Sequence, residues 1–143
     1  MASVAFHHVA ISCGDLKTTE AFYTKHFGFT RARAIPLGGG AEIVFLKNGT
    51  DYLELFQAEG ERPAPAVAAD GPHYPGWRHI AVRVDDVDAA LAAMGADAHV
   101  TLGPLAFDAF IPGWKTAWVA DPDGNIVEIS QGFTDQKDVP PAS

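Results

Sequence analysis

Cysteine is almost missing from this chain: Cys13 is the only one in 143 residues. No internal disulfide can form, so packing and hydrogen bonds must hold the fold. Positive charge is also scarce. Ten Lys and Arg stand against eighteen Asp and Glu, for a net charge of −8. That balance excludes a nucleic-acid partner, which would need a basic surface, and disfavours docking on anionic membranes. No apolar run approaches the length of a membrane span. The N-terminal Met-Ala-Ser-Val-Ala-Phe-His-His has neither the basic flank nor the apolar core of a secretion signal. The expectation is a cytoplasmic protein with no nucleic-acid or membrane partner. Apolar residues, in contrast, are plentiful. At 48% of the chain, against 20% charged, they suffice for one domain with a sizeable core.

The chain repeats itself. His8-Val9-Ala10-Ile11 returns 71 residues on as His79-Ile80-Ala81-Val82, and the Asp that follows each copy returns at the same offset (Asp15 and Asp86). Tyr52-Leu53-Glu54-Leu55 returns 74 residues on as Ile126-Val127-Glu128-Ile129. Each half therefore carries one His on an early strand and one Glu on a late strand. Two imidazoles and two carboxylates in equivalent places are a donor set for a divalent metal.

Periodicity and turn residues supply the rest of the organisation. Ala5–Ser12 reads as a strand, and Asp15 as the N-cap of a helix over Leu16–Phe27 that Gly28 ends. Strands are expected over Thr30–Leu37, Glu42–Lys47 and Tyr52–Gln57, broken at Gly38-Gly39-Gly40 and Asn48-Gly49. The second copy repeats the order. Trp77–Val84 is a strand and Asp86 caps a helix over Val87–Met94 that Gly95 ends. His99–Leu102 is a weak strand. Trp114–Ala120 and Asn125–Ser130 are strands joined by the tight turn Asp121-Pro122-Asp123-Gly124. The fold class expected is α+β, with two tandem βαβββ modules. A single domain over 1–132 would hold module one (4–57), a Pro-rich linker (58–76) and module two (77–132), with a polar tail over 133–143. The apolar stretch Gly103–Gly113 either lies over a pocket or packs on the core.

Side chains alternate along a strand. Val9 and Ile11, Leu53 and Leu55, Ile80 and Val82, and Val127 and Ile129 form purely aliphatic faces suited to packing under helices. The opposite faces carry His8, Glu54, His79 and Glu128. An ionised Glu flanked by aromatic neighbours is costly to bury without a partner, and a cation would supply one. The repeat also separates two adjacent histidines: His79 aligns with His8, while Arg78 aligns with His7. By the same parity Phe6, Tyr52, Phe56, Trp77 and Arg83 face a substrate. Trp114, Thr116 and Trp118 share one face of their strand, which parity leaves unassigned, and Trp118 is taken as a further substrate contact. Lys115 and Arg33 are other cations that an anionic substrate group could use.

These motifs resemble the vicinal oxygen chelate superfamily, also called the glyoxalase/bleomycin resistance/dioxygenase fold. The resemblance rests on His8-Val-Ala-Ile-Ser with Asp15-Leu, Ala21-Phe-Tyr with Phe27-Gly-Phe, Tyr52-Leu-Glu-Leu, His79-Ile-Ala-Val with Asp86-Val, and Asp121-Pro-Asp-Gly-Asn-Ile-Val-Glu-Ile. It implies curved mixed sheets forming a cup around one divalent metal (Zn, Ni, Co, Mn or Fe), with His8, Glu54, His79 and Glu128 as ligands. It also implies a homodimer, with sites built within one chain or across two. Iron dioxygenases and thiol transferases of this fold mainly use two His and one carboxylate. The fourth ligand here, Glu54, makes the pattern most similar to bacterial glyoxalase I and related epimerases.

The chemistry expected is a lyase or isomerase reaction on a small molecule, by proton transfer next to a carbonyl. The metal would act as Lewis acid and stabilise an enediolate-type intermediate. Glu128 would be the acid–base group, with Glu54 the second candidate. Two alternatives stand beside it: an Fe(II)-dependent dioxygenase, and a non-catalytic protein that binds a small molecule such as an antibiotic.

Overall fold

The structure is a computed structural model and describes residues 3–143. The chain is an α+β fold of two βαβββ modules. The first contains β1 (His8–Cys13), α1 (Leu16–His26), β2 (Thr30–Gly38), β3 (Ala41–Asn48) and β4 (Asp51–Gln57). The second contains β5 (Ile80–Arg83), α2 (Val87–Met94), β6 (Val100–Ala106), β7 (Lys115–Ala120) and β8 (Ile126–Gln131). Each forms its own four-stranded mixed sheet, ordered β1-β4-β3-β2 and β5-β8-β7-β6. The first strand pairs parallel with the last of its module, and the other neighbours are antiparallel. A parallel pair needs a long crossover, which the helix and two intervening strands provide.

Both helices start on the expected aspartates. Asp15 accepts from the Thr18 amide at 2.8 Å, and Asp86 from the Ala89 amide at 2.9 Å. Each removes one of the unpaired N–H groups of a helix start. α1 stops one residue earlier than expected, with Phe27 as its C-cap and Gly28 following at φ +69°. α2 ends at Gly95 as expected.

The aliphatic faces form the cores. In the first module Leu16, Phe22 and Tyr23 of α1 are buried together with Val44, Leu46, Leu53 and Leu55 of the sheet. In the second, Val87 and Met94 of α2 are buried together with Ala117, Val119, Val127 and Ile129. A fully buried Leu or Val is worth about 1.5–3 kcal/mol over its exposed state, so these faces fix which side of each sheet the His and Glu residues occupy.

Three boundaries differ by three residues or more from the reading by periodicity. β1 begins at His8 rather than Ala5, and β5 at Ile80 rather than Trp77. Phe6 and Trp77 therefore lie outside the strands, 69% and 86% exposed, and strand parity does not orient them. β6 is longer than expected and absorbs Gly103–Ala106. Beyond it, Phe107 packs on Trp114 with ring centroids 5.0 Å apart, while Phe110 is open to solvent.

The chain divides into two compact units. The first runs up to Ala66 and includes Asp121–Asn125. The second holds Val67–Ala120 and Ile126–Ser143. The β7–β8 turn, which reads in sequence as an ordinary tight turn of module two, thus belongs to the first unit. There Asp121 is 4% exposed. Its carboxylate accepts from the Asp123 and Asn125 amides, from Asn125 Nδ2 and from Tyr23 Oη, all at 2.8–2.9 Å. Asp123 accepts in turn from the Gly14 amide and Thr19 Oγ1. Arg62 donates to Asp123 O and Asn125 Oδ1. Burial and the Asp121 carboxylate push the Tyr23 hydroxyl well above its ordinary pKa. Burial likewise raises the neighbouring Cys13 thiol. Among the described residues no helix is long and apolar enough to cross a membrane.

Candidate functional site

Each unit brings its His and Glu together. In the first sheet Ala10 stands opposite Glu54 in the parallel register, and His8 lies two positions earlier on the same face. His8 Nε2 comes 3.0 Å from Glu54 Oε2. In the second, Ala81 stands opposite Glu128, and His79 Nε2 comes 2.7 Å from Glu128 Oε2. His8, not His7, meets the carboxylate. His7 stacks on Tyr52 instead, centroids 5.1 Å apart, and its Nδ1 lies 2.7 Å from His8 Nδ1. The expected four donors are thus present as one acid–imidazole pair in each unit. Among the described residues, no group of three or more His, Cys, Asp or Glu side chains is placed to hold a metal.

The donor chemistry of each pair fits half of a divalent-cation site, and the second pair shows why. His79 Nδ1 lies 2.6 Å from the Asp70 carbonyl oxygen. A carbonyl can only accept, so Nδ1 carries the proton. A neutral His79 then presents a lone pair at Nε2 to a Glu128 oxygen. Two lone pairs at that distance repel unless a proton or a cation lies between them. Metal-bound histidines commonly donate their other ring N–H to a carbonyl or carboxylate, which fixes ring and tautomer.

The residues that place this carbonyl escaped the reading by motif. Ala69 is the one non-glycine with positive φ among the described residues, at +52°, and its carbonyl accepts from Thr101 Oγ1 at 2.6 Å. Gly71 follows at φ +114°, where a Cβ would overlap the Arg78 carbonyl. Both positions are left-handed, so the Asp70 peptide is held in a turn few sequences could form. The Asp70 side chain accepts from His73 at 2.9 Å and from Arg78 at 3.4 Å. The His73 bond holds its carboxyl below the usual carboxylate range. The only legible signal was a glycine inside a Pro-rich linker.

The repeat has a third member, of which the sequence reading names only Trp118. Phe45 is paired with Glu54 across β3 and β4, and Trp118 with Glu128 across β7 and β8. The Phe45 ring stands 5.7 Å from that of His8, and Trp118 6.3 Å from that of His79. Each pair therefore has an aromatic edge beside it. Alternation alone would have found Phe45, since Val44 and Leu46 face the core.

The remaining candidates divide by environment. Tyr52 is half-buried between the His7 ring and the Lys47 ammonium, the latter 5.5 Å from its centroid. Phe56 is half-buried on the His8–Glu54 face. Arg83 is exposed and makes no ion pair among the described residues. Lys115 is tied to Asp88. The register opposite Ser130 and Glu128 assigns Thr116 and Trp118 to the Glu128 face. Both are buried, and Thr116 Oγ1 and Trp118 Nε1 have no hydrogen-bond partner. An orphaned buried polar atom costs about 1–3 kcal/mol, so both stand out beside Glu128.

A cavity of about 290 Å³ opens in the second unit, lined by Arg83, Trp114, Glu128, Ser130 and Phe133 among others. A larger one in the first unit, about 720 Å³ along Ala58–Pro63 and Asp123, carries neither pair.

The arrangement has counterparts in known proteins. The chain is 32% identical over 125 residues to the uncharacterized protein YaeR of Escherichia coli (strain K12), across 86% of this chain and 92% of that protein. It is 33% identical over 86 residues to mitochondrial methylmalonyl-CoA epimerase of Homo sapiens, across 59% of this chain and 49% of the epimerase. The solved structure of lactoylglutathione lyase from Agrobacterium tumefaciens matches at TM-score 0.59 and 26% identity, across 92% of this chain and 96% of the lyase. The family model of the glyoxalase/bleomycin resistance protein/dioxygenase superfamily matches residues 5–129, a span that contains both pairs and runs from before β1 into β8, and the chain belongs to that superfamily.

Proposed function

We propose that the protein is a divalent-metal-dependent lyase or isomerase that moves a proton next to the carbonyl of a small-molecule substrate. The observation that carries this reading is the orientation of His79: its Nδ1 is committed to the Asp70 carbonyl, and its Nε2 points at Glu128. His8, Glu54, His79 and Glu128 would hold the cation, two nitrogens and two oxygens that suit Zn, Ni, Co, Mn or Fe(II). When bound, the metal would supply Lewis-acid polarisation of a substrate carbonyl.

The chain's own residues would do the rest. Glu128 takes the proton from the carbon beside the carbonyl and returns it to the neighbouring carbon or the opposite face. A positioned general base of this kind contributes typically about 10²–10⁴-fold. Glu54 holds its place as the fourth ligand and as the second acid–base group. His8 and His79 remain neutral donors, His79 locked in one tautomer. The epimerase and lyase similarities support this reaction class. In the same proposal the chain works as a homodimer. Its β2 supports this: all nine residues are exposed, with Ile35 and Leu37 open to solvent.

The test is solvent-deuterium exchange into methylmalonyl-CoA and lactoylglutathione, followed by NMR with Zn(II)-, Ni(II)- or Co(II)-loaded protein. The expected result is metal-dependent exchange by a dimeric species. Glu128→Gln should lower it at least 100-fold while the variant still binds metal. Undiminished exchange in Glu128→Gln would exclude that residue as the base.

A further inference from the structure

Resting on that reading, we propose that the cavity beside Glu128 selects a small carbonyl compound bearing a carboxylate. Arg83 grips the carboxylate, and the apolar body packs against the Trp114–Phe133 ring pair. Glu128 lines the same cavity, so a ligand seated there stands next to the group that would move the proton. At about 290 Å³ the space is at the small end of ligand sites, which run to about 1,000 Å³. One wall is aromatic, made by Trp114 and Phe133 packed edge to face with centroids 6.0 Å apart at 68°. Such surfaces favour a flat or apolar body.

The polar groups point to an anion. Arg83 is the cation of the cavity lining and has no acidic partner among the described residues. Lys115, on the neighbouring strand, is already neutralised by Asp88. Ser130 Oγ accepts from Trp114 Nε1 at 3.2 Å, which leaves its own O–H to donate. Directly opposite Ser130 in the register stands Thr116, 1% exposed, with no partner for its hydroxyl. Trp118 Nε1, the other orphaned buried donor, lies on the same face opposite Glu128. Buried donors without acceptors are rare in folded chains. Neither Thr116 nor Trp118 is in the cavity lining, so the donors open to a ligand there are the Arg83 guanidinium and the Ser130 hydroxyl. A single guanidinium matches a carboxylate in a two-point fork. The adjacent Glu128 and the net charge of −8 count against a doubly charged phosphate.

The experiment titrates the full-length, ¹⁵N-labelled protein in EDTA with phenylacetate, with its neutral analogue phenylacetamide, and with inorganic phosphate. The expected result is that phenylacetate shifts the Trp114 indole and the Ser130 amide, and binds at least tenfold tighter than phenylacetamide. Arg83→Gln should weaken it at least tenfold, with Arg83→Lys in between and Ser130→Ala reducing it a few-fold. Equal binding of acid and amide, undiminished binding by Arg83→Gln, or tighter binding of phosphate at the same residues would each overturn the proposal. Glu128→Gln separates this proposal from the proton-transfer reading. It should retain or tighten phenylacetate binding, because a neighbouring negative charge is gone, whatever happens to exchange activity. Loss of phenylacetate binding in that variant would count against Arg83 as the anchor.

Discussion

The two acid–imidazole pairs derive from one repeated module, yet only the second is locked in place. His8 and Glu54 sit 3.0 Å apart with the imidazole side chain 35% exposed, and the far nitrogen of His8 meets another imidazole. His79 and Glu128 sit 2.7 Å apart with the imidazole 19% exposed, and the far nitrogen of His79 meets a backbone carbonyl held by a left-handed turn. The turns before the last strands differ in the opposite sense. In the first module Asn48 and Asp51 close a short exposed hairpin, tied mainly by Asn48 Nδ2 to the Phe27 carbonyl. In the second, the turn centres on a buried carboxylate with four donors. Duplication preserved what strand geometry needs, and the segments outside the strands took on different duties in each half.

Breaking the turn contrast should have the largest effect. Asp121→Ala strands four donors, including a buried tyrosine hydroxyl, and should cost about 3–5 kcal/mol. Asn48→Ala, its counterpart in the first module, should cost about 1 kcal/mol. Urea unfolding of the two variants compares them directly, and equal losses would mean the buried hub adds nothing.

The contrast between the pairs is broken by Gly71→Ala. A side chain cannot be accommodated there, so the Asp70 carbonyl should leave His79. We expect a stability loss of about 2–3 kcal/mol and Zn(II) binding weakened about 10–100-fold, the range seen when an outer hydrogen bond to a metal-ligating histidine is lost. The ¹⁵N shifts of the His79 ring in metal-free protein should move away from the Nδ1–H tautomer, while those of His8 stay put. A His79 ring unchanged in tautomer would remove the linker from the site.

Alkali sharpens the comparison by the smallest margin. Cys13 and Tyr23, both buried in the first unit, have pKa values raised above their ordinary 9.0 and 10.0, chiefly by burial. The native state therefore holds protons that the unfolded chain releases. Their contribution is complete below about pH 9 and is lost as pH rises through the range where the unfolded groups ionise but the folded ones do not. Unfolding free energy should fall above pH 9, and Tyr23→Phe should flatten that slope. An identical slope in the variant would show that the tyrosine is not the proton store.

Much of this was legible in advance because it is periodic. The aliphatic alternation in β1, β4 and β8 sets which face is buried, and so places His8, Glu54 and Glu128 on the other; His79 stands one residue before β5 and takes its orientation from the Asp70 carbonyl. The two Asp N-caps announce both helices. Phe45 is legible by the same rule, since Val44 and Leu46 on either side of it face the core. Parity does not reach Phe6 and Trp77, which precede the starts of β1 and β5 and are open to solvent.

By itself the sequence determined the doubled βαβββ order, the aliphatic cores and the presence of one His and one Glu in equivalent places of each half. These follow from alternation and capping, which act over a few residues. Tertiary structure alone decided that the β7–β8 turn joins the first unit, through Tyr23, 98 positions from Asp121. It also decided that the Asp70 carbonyl orients His79, and that Arg83, Trp114 and Ser130 line one cavity with Glu128. Those contacts depend on backbone carbonyls, left-handed turns and partners far apart in the chain, and no local period encodes them.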